Sequence, residues 1–309
     1  MPSHEVVIVG GGPAGLAAAR RLAERGIGDV VVLEREAEAG GIPRHCGHPG
    51  FGWQSHRRLW SGPRFAAELC RDAAGIDVRT GATVLELGKG GVLRIRDAKG
   101  VSEIRARAVL IATGTRETPR AARLIGGTRP PGVMTTGALQ QFVYLQGLKP
   151  FARPVVVGSE WVSFSALLTC RHLGIRPVAI IEENARTTAP CGSGLVARLA
   201  FGVPVLTGTR LTAIEGAEQV EAVGIERQGR PERIACDGVI FTGQFRPENA
   251  LYAAGPIDSR DHAPLIDGHF RCSDPAYFAA GNVLNPLKSS GACWRQGIAA
   301  ADAIAGSLQ

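Results

Sequence analysis

The chain has 309 residues, of which 45% are hydrophobic and 20% are charged, so it is long and apolar enough for two ordinary domains with buried cores. Glycine is in excess at 41 residues, yet neither glycine nor proline follows a fixed period, which excludes collagen-like and low-complexity chains. The formal net charge is +7, but no block of five or more like charges occurs, so we expect no nucleic-acid-binding arm.

Neither a membrane span nor a secretion signal is expected. No apolar run reaches the ~18 residues of a transmembrane helix, and residues 1–5 lack the basic and apolar segments of a signal peptide. The seven cysteines include no Cys-x-x-Cys pair, which argues against a disulfide scaffold, a zinc site and a redox dithiol. We therefore expect a cytoplasmic, metal-free protein with reduced cysteines.

Two stretches of the chain predict the same βαβ unit. The first has a β-branched run at 5–10, an alanine-rich helix ending near Gly26 and an apolar run at 30–33. The second begins with a strand at Pro154 and ends its next strand at Glu182. Each is followed by predicted antiparallel strands and a strand ending in Thr-Gly, which indicates an internal repeat. We predict an α/β fold with two Rossmann-like dinucleotide-binding domains, each with an antiparallel β-meander.

The glycines between the first strand and helix have the spacing of a dinucleotide fingerprint. Gly10 permits a tight turn, Gly12 lets the backbone approach a pyrophosphate, and Gly15 lets helix and strand pack closely. The start of the helix faces the phosphates with its free N–H groups. Glu34, at the end of the second strand, can accept hydrogen bonds from a ribose.

Three segments in order carry a family resemblance. They are the fingerprint with its ribose glutamate, the strand at 109–114 that ends Ala-Thr-Gly, and the motif at 277–282 that precedes a predicted helix. Together they resemble the FAD-dependent pyridine nucleotide-disulfide oxidoreductase superfamily, the two-dinucleotide-binding-domain flavoproteins that include thioredoxin reductase. Asn282 stands where the family usually has an aspartate, so it can hydrogen-bond the ribityl chain but carries no charge.

This resemblance implies a discontinuous FAD-binding domain, 1–117 and 246–309, into which a second domain, 118–245, is inserted. The residues that it implies for FAD binding are Gly10, Gly12, Pro13, Ala14, Gly15, Glu34, Arg35, Gly41, Val84, Thr113, Gly114, Gly281 and Asn282.

The second fingerprint, at 158–163, departs from the family pattern. Glycine remains only at its first position. Glu160 places a carboxylate where phosphate would approach, Trp161 is bulky, and Ser163 replaces the third glycine. Although Glu182 could still serve a ribose, we expect NAD(P) not to bind and the domain to persist as a structural or docking element.

The loop at 40–52 follows the ribose glutamate, where the superfamily approaches the flavin. Its disulfide reductases carry two catalytic cysteines either just after this point or in the second domain, and Cys46 has no partner at either place, so dithiol–disulfide exchange is not expected. The candidate catalytic residues are Arg44, His45, Cys46 and His48, which could orient a substrate, stabilise reduced flavin or pass protons. The alternative is that they are loop residues satisfied by packing.

The segment 131–140, with its Pro-Gly-Val-Met start, resembles the α-type subunits of hydrogen cyanide synthase, opine oxidase, dye-linked proline dehydrogenase and heterotetrameric sarcosine oxidase. Those subunits work beside a second flavoprotein that oxidises the amine, and many carry a cysteine-rich iron–sulfur segment that is not expected here. The implied function is an FAD-binding electron-transfer subunit of a multicomponent amine, amino-acid or opine dehydrogenase. Two alternatives stay open, namely a stand-alone NAD(P)H-dependent flavin reductase and a non-catalytic nucleotide-binding scaffold.

Overall fold

A computed structural model describes residues 2–253, 255–286 and 289–309. The chain forms two compact units. Unit 1 consists of Met1–Arg44, Pro49–Arg116 and Phe245–Gln309, and unit 2 consists of His45–His48 and Glu117–Gln244. The four residues His45–His48 therefore belong to unit 2, although the chain on either side of them belongs to unit 1.

Helices lie between strands in the βαβ stretches of both units. The strands are β1 (Ser3–Val9), β2 (Val30–Leu33), β3 (Pro49–Phe51), β4 (Trp60–Ser61), β5 (Asp77–Arg79), β6 (Thr83–Leu87), β7 (Val92–Asp97), β8 (Gly100–Ile111), β9 (Thr115–Glu117), β10 (Gly126–Gly127), β11 (Val133–Thr135), β12 (Pro154–Val157), β13 (Ala179–Ile181), β14 (Val205–Leu206), β15 (Thr209–Glu215), β16 (Ala222–Arg227), β17 (Arg230–Ala235), β18 (Gly238–Phe241), β19 (Phe245–Pro247), β20 (Ser259–Arg260), β21 (Ala263–Pro264) and β22 (Tyr277–Ala279). The helices are α1 (Pro13–Glu24), α2 (Trp53–His56), α3 (Gly62–Asp72), α4 (Thr136–Gln140), α5 (Trp161–His172), α6 (Ser193–Phe201) and α7 (Ser290–Leu308), and a π-helical turn follows α4 at Gln141–Leu145. Among the described residues, β5 to β11 and β14 to β22 follow one another without an α-helix between them. In the part of the chain that the structure describes, no helix has the length and apolarity that crossing a bilayer requires.

Unit 1 is built on a sheet with the strand order β5-β2-β1-β8-β7-β6, to which β22 adds by pairing with β8. The strands β2, β1, β8 and β22 run parallel, and the long β8 continues at its start into an antiparallel meander with β7 and β6. The four residues of β2 and the last four of β1 are buried, as expected for parallel strands that are covered on both faces.

Small residues allow two helices to lie close against one face of this sheet. The core on that face contains Ile8 and Leu110 of the sheet with Ala18, Ala19, Ala300 and Ala301 of α1 and α7. On the opposite face, Val7 and Val9 pack with residues of the meander. A Cβ atom at Gly297 would lie 2.1 Å from the carbonyl oxygen of Ala14, so the backbones of α7 and α1 approach more closely than any other residue would allow.

Unit 2 repeats this architecture with a parallel sheet in the order β11-β18-β12-β13-β14. Helices α4, α5 and α6 contribute to the core on one face, and the antiparallel strands β15, β16 and β17 contribute to the core on the other. The predicted fold class is confirmed, because both units are α/β and each combines a parallel sheet with a β-meander.

Gly297→Ala should destabilise unit 1, because its Cβ atom would overlap a backbone oxygen that cannot rotate away. We expect a loss of about 1–3 kcal/mol in the free energy of unfolding, seen as a lower midpoint of thermal unfolding. Gly306→Ala in the same helix is the matched control. A Cβ atom there meets no atom within 4 Å, so this change should be neutral or stabilising by up to ~1 kcal/mol. Equal midpoints for the two variants would contradict the close packing of α7 on α1.

Candidate cofactor site

The turn that follows β1 requires glycine at its first and last fingerprint positions. Gly10 has a φ of +110°, and a Cβ atom there would lie 2.5 Å from the carbonyl oxygen of Ala112. At Gly15, a Cβ atom would lie 1.9 Å from the carbonyl oxygen of Gly10. Helix α1 therefore begins in direct contact with the turn, and neither position accepts a side chain.

The middle glycine of the fingerprint is different, because space is open beside it. A Cβ atom at Gly12 would meet only the Cα atom of Gly41, at 3.8 Å. Gly41 has a φ of +63°, and its own Cβ atom would lie 2.8 Å from the Cα atom of Gly12. Two bare backbone segments thus face each other, as a pyrophosphate that contacts main-chain atoms requires.

The first turn of α1 offers backbone donors to an anion. Gly12 is the N-cap residue, and among the described residues no side chain caps the helix there. Because Pro13 has no N–H group, the N–H groups of Ala14 and Gly15 are the donors in the first turn that have no acceptor within the helix. These donors and the positive end of the helix dipole make this turn an anion site.

Glu34 lies beside this turn with half of its acceptor capacity in use. It is 8% exposed, and its two carboxylate oxygens accept hydrogen bonds from the N–H groups of Gly11, at 2.8 Å, and Glu36, at 2.9 Å. A carboxylate has about four lone-pair sites, so roughly two stay open to further donors such as ribose hydroxyls. Arg35, the next residue, is exposed.

The C-terminal motif, residues 277–282, contacts the first turn of α1. Gly281 has a φ of +87°, and a Cβ atom there would lie 2.9 Å from the Cβ atom of Ala14. Its N–H group donates to Oε1 of Gln296 on α7 at 2.8 Å. Asn282 follows in a 3₁₀ turn, Gly281–Val283. Gln296 was not among the predicted site residues, although its place in the predicted helix after the motif was a signal for it.

The remaining predicted FAD-binding residues lie at two other places in unit 1. Thr113 donates from its hydroxyl to the carbonyl of Glu248 at 3.2 Å, and the carbonyl of Gly114 accepts from the N–H of Glu248 at 2.9 Å. These bonds join the Ala-Thr-Gly turn to the chain that returns to unit 1. Val84 is 7% exposed, and its side chain is part of the hydrophobic core.

The four candidate catalytic residues are divided between the two units. Arg44, in unit 1, pairs with Glu36 at 2.6 Å and with Glu38 at 3.1 Å, so two carboxylates compensate its charge. His45, Cys46 and His48 belong to unit 2. The described residues contain no group of three or more His, Cys, Asp or Glu side chains that could hold a metal ion.

The segment His45–His48 packs against α4, α5 and the π-helical turn of unit 2. The thiol of Cys46 donates to Oε1 of Gln140 at 3.4 Å, and Nε2 of His48 lies 3.0 Å from the hydroxyl of Ser165. A Cβ atom at Gly47 would lie 2.1 Å from the ring of Tyr144. Burial, with a smaller contribution from Glu117, raises the pKa of Cys46 to about 12. The thiol is therefore protonated near neutral pH and is a poor nucleophile.

The turn after β12 in unit 2 has the backbone of the first fingerprint with different side chains. Gly158 has a φ of +110°, the value found at Gly10. Ser163, at the position that corresponds to Gly15, is fully buried, and its hydroxyl donates to the carbonyl of Gly158 at 2.9 Å. In unit 2 the helix is therefore joined to the turn by the Ser163 hydroxyl. In unit 1 the backbone of Gly15 contacts the turn directly.

The Glu160 carboxylate fills the space beside this turn. Its Oε2 accepts from the hydroxyl of Thr242 at 2.8 Å. A Cβ atom at Gly243 would lie 2.2 Å from its Oε1 and one at Gly158 would lie 2.6 Å from its Oε2. The neighbouring Trp161 is 69% exposed. A negative charge therefore lies at the start of α5, where the first unit presents only backbone.

Glu182 corresponds in unit 2 to Glu34 of unit 1, and donors of the protein itself already bind its carboxylate oxygens. Glu182 is 4% exposed. Its Oε1 accepts from the backbone N–H and the side-chain amide of Asn184, at 2.9 and 2.7 Å. Its Oε2 accepts from the hydroxyls of Ser159 and Thr188. Four donors fill the roughly four lone-pair sites of a carboxylate.

Several curated proteins are similar in sequence to this chain. It is 27% identical over 280 residues to the alpha subunit of sarcosine oxidase from Corynebacterium sp. (strain P-1), which covers 81% of this chain and 27% of that protein. It is 26% identical over 314 residues to an opine oxidase subunit of Rhizobium meliloti, which covers 90% and 58%. It is 32% identical over 187 residues to the HcnB subunit of hydrogen cyanide synthase from Pseudomonas aeruginosa, which covers 58% and 38%. The chain thus spans less than two thirds of each of these relatives.

Solved structures share its fold. Thioredoxin reductase of T. acidophilum superposes with a TM-score of 0.83 at 22% identity, covering 99% of both chains. L-proline dehydrogenase of P. horikoshii superposes with a TM-score of 0.74 at 20% identity, covering 97% of this chain and 54% of that one. These likenesses confirm the fold prediction.

The sequence profile of the pyridine nucleotide-disulphide oxidoreductases matches residues 4–301, which is most of the chain. The predicted superfamily and the predicted oxidoreductase class are therefore confirmed. The chain belongs to the pyridine nucleotide-disulphide oxidoreductase family of flavin-dependent enzymes.

Proposed function

We propose that unit 1 binds FAD and that the chain is an electron-transfer subunit of a multicomponent amine, amino-acid or opine dehydrogenase. The observation that carries the proposal is the difference between the two fingerprints. In unit 1 the backbone at Gly12 is bare and Glu34 retains acceptor sites, whereas in unit 2 the equivalent space and acceptors are used by Glu160 and by the partners of Glu182.

The residues of unit 1 have distinct roles in this proposal. The N–H groups of Ala14 and Gly15 hold the pyrophosphate, and Gly12 with Gly41 lets it approach the backbone. Glu34 binds the adenosine ribose, and Asn282 hydrogen-bonds the ribityl chain without adding a negative charge. FAD itself, when bound, supplies the chemistry of accepting and passing on electrons.

Electrons enter, in this proposal, from a partner protein and not from NAD(P)H. The relatives named above are called subunits of sarcosine oxidase, opine oxidase and hydrogen cyanide synthase, which supports a partner for this chain. We propose that a second flavoprotein oxidises a small amine or amino acid beside it. In unit 2, Glu160 repels the phosphates of a dinucleotide, and Glu182 has no acceptor site left for its ribose, which disfavours a stand-alone NAD(P)H-dependent flavin reductase.

For Arg44, His45 and His48, a role in orienting a substrate, stabilising reduced flavin or passing protons stays a prediction. The geometry favours the alternative interpretation for Cys46, because its thiol is 6% exposed and hydrogen-bonded to Gln140. In this proposal the thiol serves packing and takes no part in dithiol chemistry.

Gly12→Val should abolish FAD binding while leaving the fold intact. Its Cβ atom has room in the protein, but the side chain would occupy the place of the pyrophosphate. We expect the dissociation constant of FAD to rise at least about a hundredfold, or ~2.8 kcal/mol, measured by titrating apoprotein with FAD, with circular dichroism to check folding. Gly28→Val, at an exposed turn with no atom within 4 Å of the added Cβ, is the control and should bind normally.

A folded Gly12→Val variant that keeps stoichiometric FAD would contradict the placement of the pyrophosphate. A colourless wild-type protein that carries only an adenine nucleotide would instead support the scaffold alternative.

The FAD-loaded protein should not be reduced rapidly by NADH or NADPH. Under anaerobic conditions, we expect the flavin absorbance near its visible maximum to persist for minutes with an excess of either nucleotide, because Glu160 and Glu182 close the second site. Dithionite is the control and should bleach the flavin fully. Rapid bleaching by either nucleotide would show that unit 2 binds it and would favour the flavin reductase.

Alkylation should distinguish Cys46 from an ordinary surface thiol. With a pKa of about 12, only roughly one part in ten thousand of this thiol is ionised at pH 8. Treatment of the native protein with iodoacetamide at pH 8, followed by peptide mass spectrometry, should therefore modify the exposed Cys191 and leave Cys46 unmodified. Modification of Cys46 as fast as Cys191 would restore it as a reactive thiol.

A further inference from the structure

Unit 2 contains a cavity of about 260 Å³ outside the fingerprint turn. Its apolar walls include Pro119, Pro130, Met134 and Phe241. Met134 lies on β11, and Phe241 ends the adjacent parallel strand β18. Ligands of α/β folds bind at the carboxyl ends of parallel strands, and part of this cavity lies at that edge.

The charged residues that line the cavity are a pair of arginines, Arg120 and Arg129. Arg120 is 8% exposed, and its guanidinium donates to the carbonyls of Ile125, Gly126 and Thr128. These bonds use three of its five N–H donors, so two remain for another acceptor. Arg129 is exposed at the rim.

The positive charge in the cavity has no carboxylate beside it. Neither arginine forms an ion pair with any of the described residues. Burial and the nearby charge of Arg129 both lower the pKa of Arg120. By contrast, the neighbouring Arg123 has its charge partly offset by Glu160 and Glu117. A buried cation next to a like charge is unfavourable unless an anion joins it.

We propose that this cavity binds a small organic carboxylate. The planar guanidinium fork matches the two oxygens of a carboxylate, which explains the arginine pair. The prolines, Met134 and Phe241 would contact an apolar body attached to that carboxylate, which inorganic phosphate lacks. A volume of about 260 Å³ suits a ligand with a few carbon atoms beyond the carboxylate. This site lies in unit 2 and does not depend on FAD binding in unit 1.

The test is a calorimetric titration of the full chain, as purified, with propionate in a low-chloride buffer. Propionamide, which has the same shape without the charge, and inorganic phosphate are titrated in parallel. We expect saturable binding of propionate, none of propionamide, and weaker binding of phosphate. Absence of saturable propionate binding would overturn the proposal, and phosphate binding as tight as propionate would overturn its choice of a carboxylate with an apolar body.

Two variants assign the binding to this cavity. Arg129→Ala removes a rim charge that makes no ion pair with the described residues, so the fold should be kept and the affinity for propionate should fall at least about tenfold. Arg230→Ala, at the start of β17 and outside the cavity lining, is the matched control and should bind as the wild type does. Equal affinities of the two variants would place the binding elsewhere and refute the cavity as its site.

Discussion

Two segments near the C-terminus meet the first turn of α1, which itself lies against the turn after β1, and glycine is present at each of these contacts. Gly15 brings the helix against the carbonyl of Gly10, Gly297 brings α7 against the carbonyl of Ala14, and Gly281 brings the C-terminal motif against its Cβ atom. Packing and ligand binding at the first turn of α1 therefore both require positions without a side chain. The bare backbone that holds unit 1 together also leaves main-chain donors open to a dinucleotide.

In unit 2 the close packing of strand, turn and helix is kept without the bare backbone that a dinucleotide would contact. Its turn keeps the φ of +110° at Gly158, and β12 and β13 still pair in parallel, so the βαβ architecture is intact. At two later positions of the fingerprint, however, Ser163 and Glu160 form hydrogen bonds to neighbouring main-chain and side-chain groups. In unit 2 the βαβ fold keeps only the first glycine, which sets the backbone turn, and a hydrogen bond from Ser163 to Gly158 takes the place of the close contact that Gly15 makes in unit 1. Phosphate binding needs the bare positions that follow the first glycine.

The sequence was sufficient to predict the βαβ units, their meanders and the departure at 158–163, because these depend on local periodicity and on the size and charge of single residues. It could not predict where the side chains of the degenerate site would turn. The contact between Glu160 and Thr242 joins residues 82 positions apart, and the bond between Cys46 and Gln140 joins residues 94 apart. Such pairings depend on how the segments are packed, which no local pattern contains. The grouping of His45–His48 with unit 2 is unpredictable for the same reason.

The difference between Glu34 and Glu182 bears on what a nucleotide would need in order to bind unit 2. Removing the carboxylate of Glu160 would free the space beside Gly243, but it would leave Glu182 fully bonded to Ser159, Asn184 and Thr188. A ribose would have to displace donors that are already in place, and a buried donor left without its acceptor costs about 1–3 kcal/mol. Two separate features would therefore oppose a dinucleotide in unit 2, the Glu160 carboxylate at the fingerprint turn and the donors that already bind Glu182 in the loop after β13. Both would have to change before a ribose and its phosphates could be accommodated.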